Sequence, residues 1–536
     1  MKLKPALLAS LSLGGLLFLP RAWAEEKPAA QSQPKPPEMA QVPTWSRDDL
    51  DFFLHGSMST EFAPETVLRA FIRTYPDLFP TNDLSHLGLI PDPAFGWPVG
   101  FSRSKVPHLG GLPAVGINCA SCHVTDTTPA HGGAPVRVLG GTSHFDAEAF
   151  FGSVIVATFR TADPANMKKF LAAHLAVTDP AGGEKAQEAF ASEWERQTEA
   201  IAAVLASDPA KNPMPGALLE INAADLPLDS ETLAKSPDLP KLARTTLALF
   251  HNMRAALHVP DQPPDKVPPA SGPGRNDAFG ILSLGLFGVP QPYAPVKFGL
   301  VWNLDQRHWV HWDGNTQSPL GRNILAALGL GAPLTGHHGG LEFALVKRHT
   351  DLTEKIRAPR YPFTMDEGAA QRGAAHFASR CASCHTGPEG DQRLHDPAAI
   401  GTDPNRAKAF TQAQADLFNN FFAELETPGY TPPAAPPIRG TGKYFSPTLA
   451  GVWARSPYLH NGSIRTLREL LTPPAARAKT FRRGSHAFDT AAMGYADEGP
   501  YLLDTTAAGS SNTGHDYGTD LSAGQKGDLI EYLKTL

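Results

Sequence analysis

All four cysteines of this 536-residue chain lie in two copies of one pentapeptide, Cys-Ala-Ser-Cys-His. The motif residues are Cys119, Cys122 and His123 in the first copy and Cys381, Cys384 and His385 in the second. Two thiols about one helical turn apart can bond to the two vinyl groups of one haem, while the following imidazole binds its iron. The spacing therefore predicts two covalently bound haem c groups, with His123 and His385 as iron ligands.

Other uses of four cysteines compete with this interpretation. They are a four-cysteine zinc site, a thioredoxin-like redox pair, and plain disulfides, for which four cysteines allow three pairings. A histidine directly after each cysteine pair and the lack of any spare cysteine favour haem attachment over these alternatives.

The start of the chain resembles an export signal. Two lysines precede an apolar stretch from Ala6 to Leu19, and Ala22-Trp23-Ala24 precedes an acidic pair. This order predicts a signal peptide over residues 1–24 and a periplasmic or secreted protein. The alternative is a membrane anchor, but the apolar stretch is shorter than the roughly 20 residues that a spanning helix needs. We therefore expect no stable membrane insertion.

Composition indicates a globular chain with long connections. The chain is 42% hydrophobic and 19% charged, which is typical of proteins with a large core. Its net charge of −6 provides no basic surface for nucleic acid, so no nucleic-acid partner is expected. The 51 prolines and 48 glycines predict long irregular segments, and residues 25–45 form a Pro-rich leader.

Periodicity predicts several helices around the two motifs. Residues 367–377 read as the helix that leads into the second motif, and Leu529, Ile530 and Leu533 share one face of a terminal helix. Between the motifs, Phe151, Ile155 and Phe159 recur every four residues, with Phe150 and Val154 beside them, and residues 184–206 are also helical in pattern.

These elements predict a mainly α fold with few, short strands. It consists of two cytochrome-c-like haem domains with long loops, over residues 46–360 and 361–536. A helical insertion at about 142–260 enlarges the N-terminal domain. Two roles for the insertion stay open: extra scaffold over the haem domains, or the wall of an apolar substrate channel.

The segment KYFSPTLAGVWARSPYLHNGSIRTLRELL, residues 443–471, carries a family resemblance. It is similar to the C-terminal domain of bacterial di-haem cytochrome c peroxidases, and more similar still to their rubber-oxygenase-like relatives, the di-haem dioxygenase branch. The resemblance covers both haem motifs and most of the chain after about residue 85.

The resemblance bears on the sixth ligand of the C-terminal iron, for which the candidates are His460, Met493, His486 and His515. The peroxidases supply a methionine from the helix that follows the Pro-Tyr-x-His stretch, but the corresponding segment LLTPPAARA lacks one. The rubber-oxygenase-like branch implies a second histidine from near the C-terminus, which corresponds to His515. Two histidines would close this haem to substrate, and His460 is then expected to have a structural role.

At the N-terminal haem, the resemblance holds in part. Trp312 begins the Trp-Asp-Gly pattern of the peroxidases, which implies a tryptophan between the haems that assists electron transfer. The positions of the family's glutamine and catalytic glutamate fall at Arg322 or Asn323 and at Ala332 or Pro333. We take Trp312, Arg322 and Asn323 as the candidate catalytic residues. Arg322 is expected to pair with a haem propionate, with a solvated helix face as the alternative.

The remaining tryptophans and metal candidates have simpler interpretations. Trp302 and Trp309 are expected in the core. No calcium site is predicted between the domains, because Arg455 and Ser456 precede Pro457 where the peroxidases place a ligating threonine.

The missing glutamate separates three functional hypotheses. General acid–base help with a peroxide is worth about 10²–10⁴ in rate, so its loss argues against a peroxidase unless Glu342, His337 or His338 replaces it. The first hypothesis is a dioxygenase-like enzyme that oxygenates or cleaves an unsaturated apolar substrate with O₂ at the N-terminal haem. The second is reduction of H₂O₂ with a small cytochrome c as electron donor. The third is a two-haem electron-transfer cytochrome. A monomer or homodimer is expected in each case.

Overall fold

The computed structural model describes residues 37–105, 113–161, 271–332, 341–385, 393–425 and 428–536, with positions 166, 169–170 and 173–174. The predicted signal peptide, the 184–206 helix, Pro333, His337 and His338 lie outside the described residues. The predicted domain boundary near residue 360 stays a prediction. In the described part of the chain, no helix is both long enough and apolar enough to cross a membrane.

The α-helices of the described residues are short and are distributed along the chain. They are α1 (Arg47–His55), α2 (Glu65–Thr74), α3 (Cys119–His123), α4 (Ala147–Thr161), α5 (Ala278–Phe287), α6 (Pro319–Gly329), α7 (Phe343–Thr353), α8 (Glu367–Arg380), α9 (Ala382–His385), α10 (Pro397–Ile400), α11 (Asn405–Ala409), α12 (Gln412–Glu424), α13 (Leu467–Leu470) and α14 (Ala523–Leu533).

Between these helices lie short strands. They are β1 (Ala63–Pro64), β2 (Phe101–Lys105), β3 (Pro113–Ile117), β4 (Val124–Pro129), β5 (Val136–Leu139), β6 (Arg275–Asn276), β7 (Val296–Lys297), β8 (Leu394–His395), β9 (Tyr444–Phe445), β10 (Thr480–Arg483), β11 (Ala487–Asp489), β12 (Gly494–Tyr495) and β13 (Tyr501–Asp504). They form small sheets with the orders β1-β3-β2, β12-β11-β4-β5, β10-β13, β6-β7 and β8-β9.

The sheets overturn the prediction of a mainly α fold with few strands. That prediction was wrong because most strands have only two to five residues, too few to show a two-residue alternation that a sequence reader could recognise. The fold is a mixture of helices and several small sheets around the two motifs.

One sheet joins segments that are far apart in the chain. Strand β4 begins directly after His123, and it pairs in parallel with β11 through Thr128 with Ala487 and Pro129 with Phe488. The hydroxyl groups of Tyr495, on β12, and Thr127, on β4, form a hydrogen bond of 3.2 Å. The strand that leaves the first haem motif is therefore supported by residues that follow the second motif.

Helices α8 and α14 confirm the helices predicted on either side of the second motif. Leu529, Ile530 and Leu533 of α14 are buried, as their spacing predicts. The two helices approach so closely that a Cβ added at Gly373 would lie 2.0 Å from the carbonyl oxygen of Asp528. Only glycine fits at this crossing, which holds the helix that ends at the second motif.

Helix α4 confirms a helix after residue 144 but shifts its buried face. Phe150, Val154 and Ala157 are fully buried, whereas Phe151 and Ile155 are only half-buried. The buried face of α4 therefore carries Phe150 and Val154, which lie beside the four-residue repeat, rather than Phe151 and Ile155 of the repeat itself.

Two candidate haem sites

The second motif follows directly from α8. Cys381 caps the C-terminus of this helix, and α9 carries the rest of the motif. The His385 Nδ1 lies 2.8 Å from the carbonyl oxygen of Pro447. A carbonyl only accepts, so Nδ1 carries the hydrogen and Nε2 keeps its lone pair. This arrangement orients a histidine as a metal ligand, because the hydrogen bond of one ring nitrogen fixes the tautomer of the other.

His515 lies opposite His385. The two ring centroids are 6.3 Å apart, and both residues line one cavity of about 210 Å³. Two imidazoles that bind one metal from opposite sides, with bonds of about 2 Å each, have centroids roughly 6 Å apart. Burial, and then the neighbouring His385, lowers the pKa of His515 to about 4, so its ring is neutral at pH 7. A neutral imidazole is the form that binds a metal.

The other candidates for the sixth ligand are placed differently. His460 lines the same cavity, where its ring stacks on Tyr444 with centroids 4.1 Å apart. Met493 is fully buried in the core, and Tyr458 donates to its carbonyl oxygen at 3.0 Å. His486 lies in the four-stranded sheet region, with Nδ1 2.8 Å from the carbonyl oxygen of Asp126. Of the four candidates, His515 and His460 are brought to the motif and the other two are not.

Asn118, the residue directly before the first motif, fixes the position of that motif. Strand β3 ends at Ile117, and the Asn118 side chain caps α3 by accepting from the backbone N–H of Ala120 at 2.9 Å. The Asn118 amide also donates to the carbonyl oxygen of Gly56 at 2.9 Å. A loop glycine, Gly100, approaches α3 so closely that a Cβ there would lie 2.1 Å from the backbone nitrogen of Ser121.

The motif thiols are not paired in disulfides, and they are divided between two cavities. Burial raises the pKa of Cys119 to about 11 and that of Cys122 to about 12. Because the two cysteine pairs line separate cavities, they do not form the single site that four-cysteine zinc coordination requires. Burial lowers the pKa of His123 to about 3, and the Arg322 guanidinium acts in the same direction, so the imidazole is neutral.

The cavity of the first motif has a volume of about 250 Å³ and mostly apolar walls. Phe279 and Leu282 of α5 and Leu325 of α6 contribute to these walls. Of the described residues that line either cavity, none is an aspartate or a glutamate, whereas both cavities contain basic side chains.

Arg322 and Asn323 line this cavity side by side on α6. The Arg322 guanidinium donates to the Asn323 Oδ1 at 2.9 and 3.1 Å, and the Asn323 amide donates to the Thr350 hydroxyl at 2.8 Å. Burial lowers the pKa of Arg322 to about 10, which leaves it charged at pH 7. Asn323 therefore fixes a cation at the cavity wall.

Neither Ala332, at the position of the family's glutamate, nor Glu342, an expected replacement, places a carboxyl group in the lining of the first cavity. Ala332 is a buried residue of the core cluster around α6. Glu342 is exposed, and its backbone N–H donates to the Ser59 hydroxyl at 2.9 Å. Glu342 is not among the residues that line the cavity.

The tryptophans occupy three different environments. Trp302 is fully buried, as expected for a core residue, but Trp309 is only half-buried and lies under the Arg439 guanidinium at 3.5 Å. The core prediction for Trp309 was wrong, because the face of its ring is covered by a cation rather than by apolar neighbours. Trp312 lines both cavities.

Two residues of the site were missed in the sequence. His311 lines the first cavity, and Lys297 lines both. The His311 Nδ1 lies 2.7 Å from the Asn315 Oδ1. His308 lies three residues before His311, but it is exposed and is not among the residues that line the cavity, and Lys297 stands alone in a loop-rich segment. The only signal was the position of His311 directly before Trp312.

The donor sets fit haem c. Each cavity presents two unpaired thiols and a neutral histidine between apolar walls, and it has basic side chains without lining carboxylates among the described residues. A haem is a flat apolar ring with two carboxylate groups and two vinyl groups. The apolar walls match the ring, the basic side chains match the carboxylates, and the thiols match the vinyl groups. The first set comprises Cys119, Cys122, His123 and Arg322, and the second comprises Cys381, Cys384, His385 and His515.

Comparison with known proteins finds a cytochrome c-like segment in the chain. Residues 442–482 match a family model described as RoxA-like, cytochrome c-like. This segment includes Pro447, whose carbonyl oxygen orients His385. The match identifies a cytochrome c-like part of the chain and indicates haem c binding and an oxidoreductase type of protein.

Two relatives are proteins of Sinorhizobium fredii that are described as uncharacterized. The protein y4iM is 33% identical over 320 residues, which cover 51% of this chain and 72% of y4iM. The protein y4iJ is 26% identical over 640 aligned positions, which cover 98% of this chain and 97% of y4iJ. The chain therefore belongs to the family of y4iM, and its residues 442–482 are similar to the RoxA-like, cytochrome c-like family.

Proposed function

We propose that this chain is an exported two-haem c oxidoreductase that oxygenates or cleaves an unsaturated apolar substrate with O₂. Cys119, Cys122 and His123 would hold the haem at which the substrate reacts. Cys381, Cys384 and His385 would hold the second haem. His515 would close this haem to substrate, so that it stores or relays electrons. A haem with a free face supplies O₂ binding and electron transfer, whereas one with two protein ligands supplies electron transfer alone.

The observation that supports this proposal is the lining of the first cavity. Its walls are aliphatic and aromatic, and no described lining residue carries a carboxyl group. An apolar wall favours a hydrocarbon over a polar substrate, because desolvation of apolar surface stabilises the complex by about 25 cal/mol per Å². The lack of a carboxyl group removes the usual proton carrier of a peroxidase.

One apolar residue of the cavity lining is also open to solvent. Ile281 lines the cavity, and it is 49% exposed. An exposed aliphatic side chain in the lining fits the entry of a hydrocarbon from water.

The chain's polar residues would then orient the reacting groups. The Arg322 guanidinium, fixed by Asn323, provides a positive charge for a haem carboxylate or for negative charge that develops during the reaction. The Trp312 ring lines both cavities and so offers a path for electrons between them. A small cytochrome c is the expected external electron donor.

Oxygen uptake by the purified two-haem protein tests the proposal. We expect O₂ consumption with short alkenes or a polyisoprenoid, and products that contain oxygen at the double bond. Ile281→Asp should raise KM for these substrates, whereas Leu502→Asp, at a side chain that is 55% exposed elsewhere on the surface, should not. If the ferrous protein neither binds O₂ nor consumes it with any alkene, the proposal is wrong.

A second candidate function, reduction of H₂O₂, is favoured by His311. Burial lowers its pKa to about 3, so the ring is neutral. Asn315 Oδ1 can only accept, so Nδ1 carries the hydrogen and Nε2 keeps a lone pair that can accept a proton. A base of this kind can move a proton between the two oxygens of a peroxide, which is the task of the missing glutamate.

The variant His311→Leu separates the two candidates. If the chain reduces peroxide, turnover with reduced cytochrome c should fall by about 10²–10⁴. His308→Leu, at an exposed histidine three residues earlier, is the matched control. Unchanged peroxide turnover in His311→Leu would exclude His311 as the base. Alkene-dependent O₂ uptake that persists in this variant would favour the oxygenase.

A further inference from the structure

Lys297 is a buried lysine held by backbone oxygens. It is the second residue of β7, and only 2% of its surface is exposed. Its Nζ donates to the carbonyl oxygen of Pro457 at 2.6 Å and also to the carbonyl oxygen of Arg455. A lysine is rarely fully buried unless it is paired, so this placement requires a reason.

Lys297 lies at the wall between the two candidate haem sites. Together with Trp312, Phe445 and Pro447, it lines both cavities. The Nζ lies 5.3 Å from the centroid of the Trp312 ring, and the Lys297 carbonyl oxygen accepts the Trp312 indole N–H at 3.0 Å. Lys297 therefore contacts the tryptophan through both its main chain and its ammonium group.

The surroundings of Lys297 contain further cations. Arg455 and Arg483 are each 4% exposed, and Arg483 donates to the carbonyl oxygens of Gly462 and Pro273 at 2.7 Å. Burial, and then Arg455 and Arg483, lowers the pKa of Lys297 well below its usual value. Burying an ammonium group without a negative partner is costly, and carbonyl dipoles offset only part of that cost. The carboxylate arms of haems in the adjoining cavities would supply the missing negative charge.

We propose that Lys297 is a positioning residue whose ammonium group acts on both haem sites and on Trp312 at once. This inference rests on the two-haem function proposed above. Held in the ammonium form by the two carbonyl oxygens and by the haem carboxylates, Lys297 would place a positive charge at the shared wall that stabilises an added electron on either haem and disfavours removal of an electron from Trp312. The hydrogen bond from the indole N–H to the Lys297 carbonyl oxygen holds the indole in one orientation. Lys297 thus raises the reduction potentials of both haems, and it keeps the Trp312 side chain between them in its reduced form.

Redox titration of the intact two-haem protein tests this inference. In Lys297→Met, we expect both haems to become harder to reduce. At a fixed applied potential, the ratio of reduced to oxidised haem should fall at least tenfold, which is about 59 mV for one electron. Lys297→Arg keeps the charge and should restore most of the loss. Lys347→Met removes an exposed lysine and should change neither potential.

The measurement distinguishes a charge effect from a packing effect. Lys297→Gln can still donate to a carbonyl oxygen but carries no charge, so it should fold even if Lys297→Met does not, and it should show the same fall in both potentials. Unchanged potentials in a Gln variant that retains two haems would overturn the role of Lys297 and leave the two-haem proposal intact. A parent protein without two covalent haems would overturn the two-haem proposal itself.

Discussion

At the scale of single residues, His515 and His460, the two candidate sixth ligands that line the second cavity, differ in their surroundings. His515 faces His385 at a ring separation of 6.3 Å, which suits a common metal ion. His460 is stacked on Tyr444, and burial lowers its pKa to about 3. The His460 ring packs against Tyr444, whereas the His515 ring lies at the distance from the His385 ring that a shared iron requires.

Substitution of these two histidines should therefore give opposite results. In His515→Ala, we expect the C-terminal haem to change from a low-spin to a high-spin ferric EPR signal, because one of its two nitrogen ligands is lost. In His460→Ala, the low-spin signal should persist. A high-spin signal in His460→Ala with a low-spin signal in His515→Ala would assign the sixth ligand to His460.

His311 and Lys297 are site residues that could not be identified from the sequence. Both motifs could be inferred from the sequence, because covalent attachment demands a fixed spacing, whereas His515 was expected only from the family resemblance. A single histidine or lysine has no such spacing, and by default a lysine is expected at the surface. Their roles depend on neighbours from distant segments: Asn315 for His311, and Arg455 and Pro457 for Lys297.

At the scale of elements, the crossing of α8 and α14 holds the second motif. A Cβ at Gly373 would lie 2.0 Å from backbone oxygen, which cannot move without shifting α14. In contrast, a Cβ at Gly527, on α14 itself, would have no atom within 4 Å. These two helical glycines are a matched pair.

Replacement of each by alanine should change stability in opposite directions. Gly373→Ala should lower the free energy of unfolding by at least about 1–3 kcal/mol through overpacking. Gly527→Ala should raise it by about 0.4–1 kcal/mol, because alanine reduces the entropy of the unfolded chain. Denaturant titration of the haem protein measures both. Equal effects of the two substitutions would show that the α8–α14 crossing does not limit stability.

Helices were easier to predict than strands for a physical reason. The helices α8 and α14 carry their own pattern of buried residues, such as Leu529 and Leu533, within one continuous stretch. The strand β11 has three residues, and its pairing with β4 depends on a segment about 360 residues earlier. No local pattern encodes such a pairing, so the sheets could not be read from the sequence.

At the scale of the whole molecule, buried histidines make folding sensitive to acid. His311 and His460 have pKa values lowered to about 3, and His174 and His349 have pKa values lowered to about 4, with burial as the main cause in each. In the unfolded chain, histidine titrates near pH 6.5. Between these values, the unfolded state binds protons that the folded state does not.

Stability should therefore be highest near neutral pH and fall as the pH decreases from about 6.5 toward 4. Denaturant midpoints at pH 7, 6 and 5 measure this dependence. His349→Gln should flatten this pH dependence, because one proton-binding group is removed from the unfolded chain. A midpoint that does not change between pH 7 and pH 5 would contradict the prediction.

The parallel pairing of β4 with β11 also sets an order of assembly. The first motif leaves the ribosome long before β11 does, since about 360 residues separate the two strands. At ~5–20 residues per second, that delay is roughly 20–70 s. During this interval, the strand after His123 lacks one neighbour, and the edge that β11 later covers is open to other chains or to a chaperone. The first haem site is thus the earlier to be synthesised, but its supporting sheet is among the last structures to be completed.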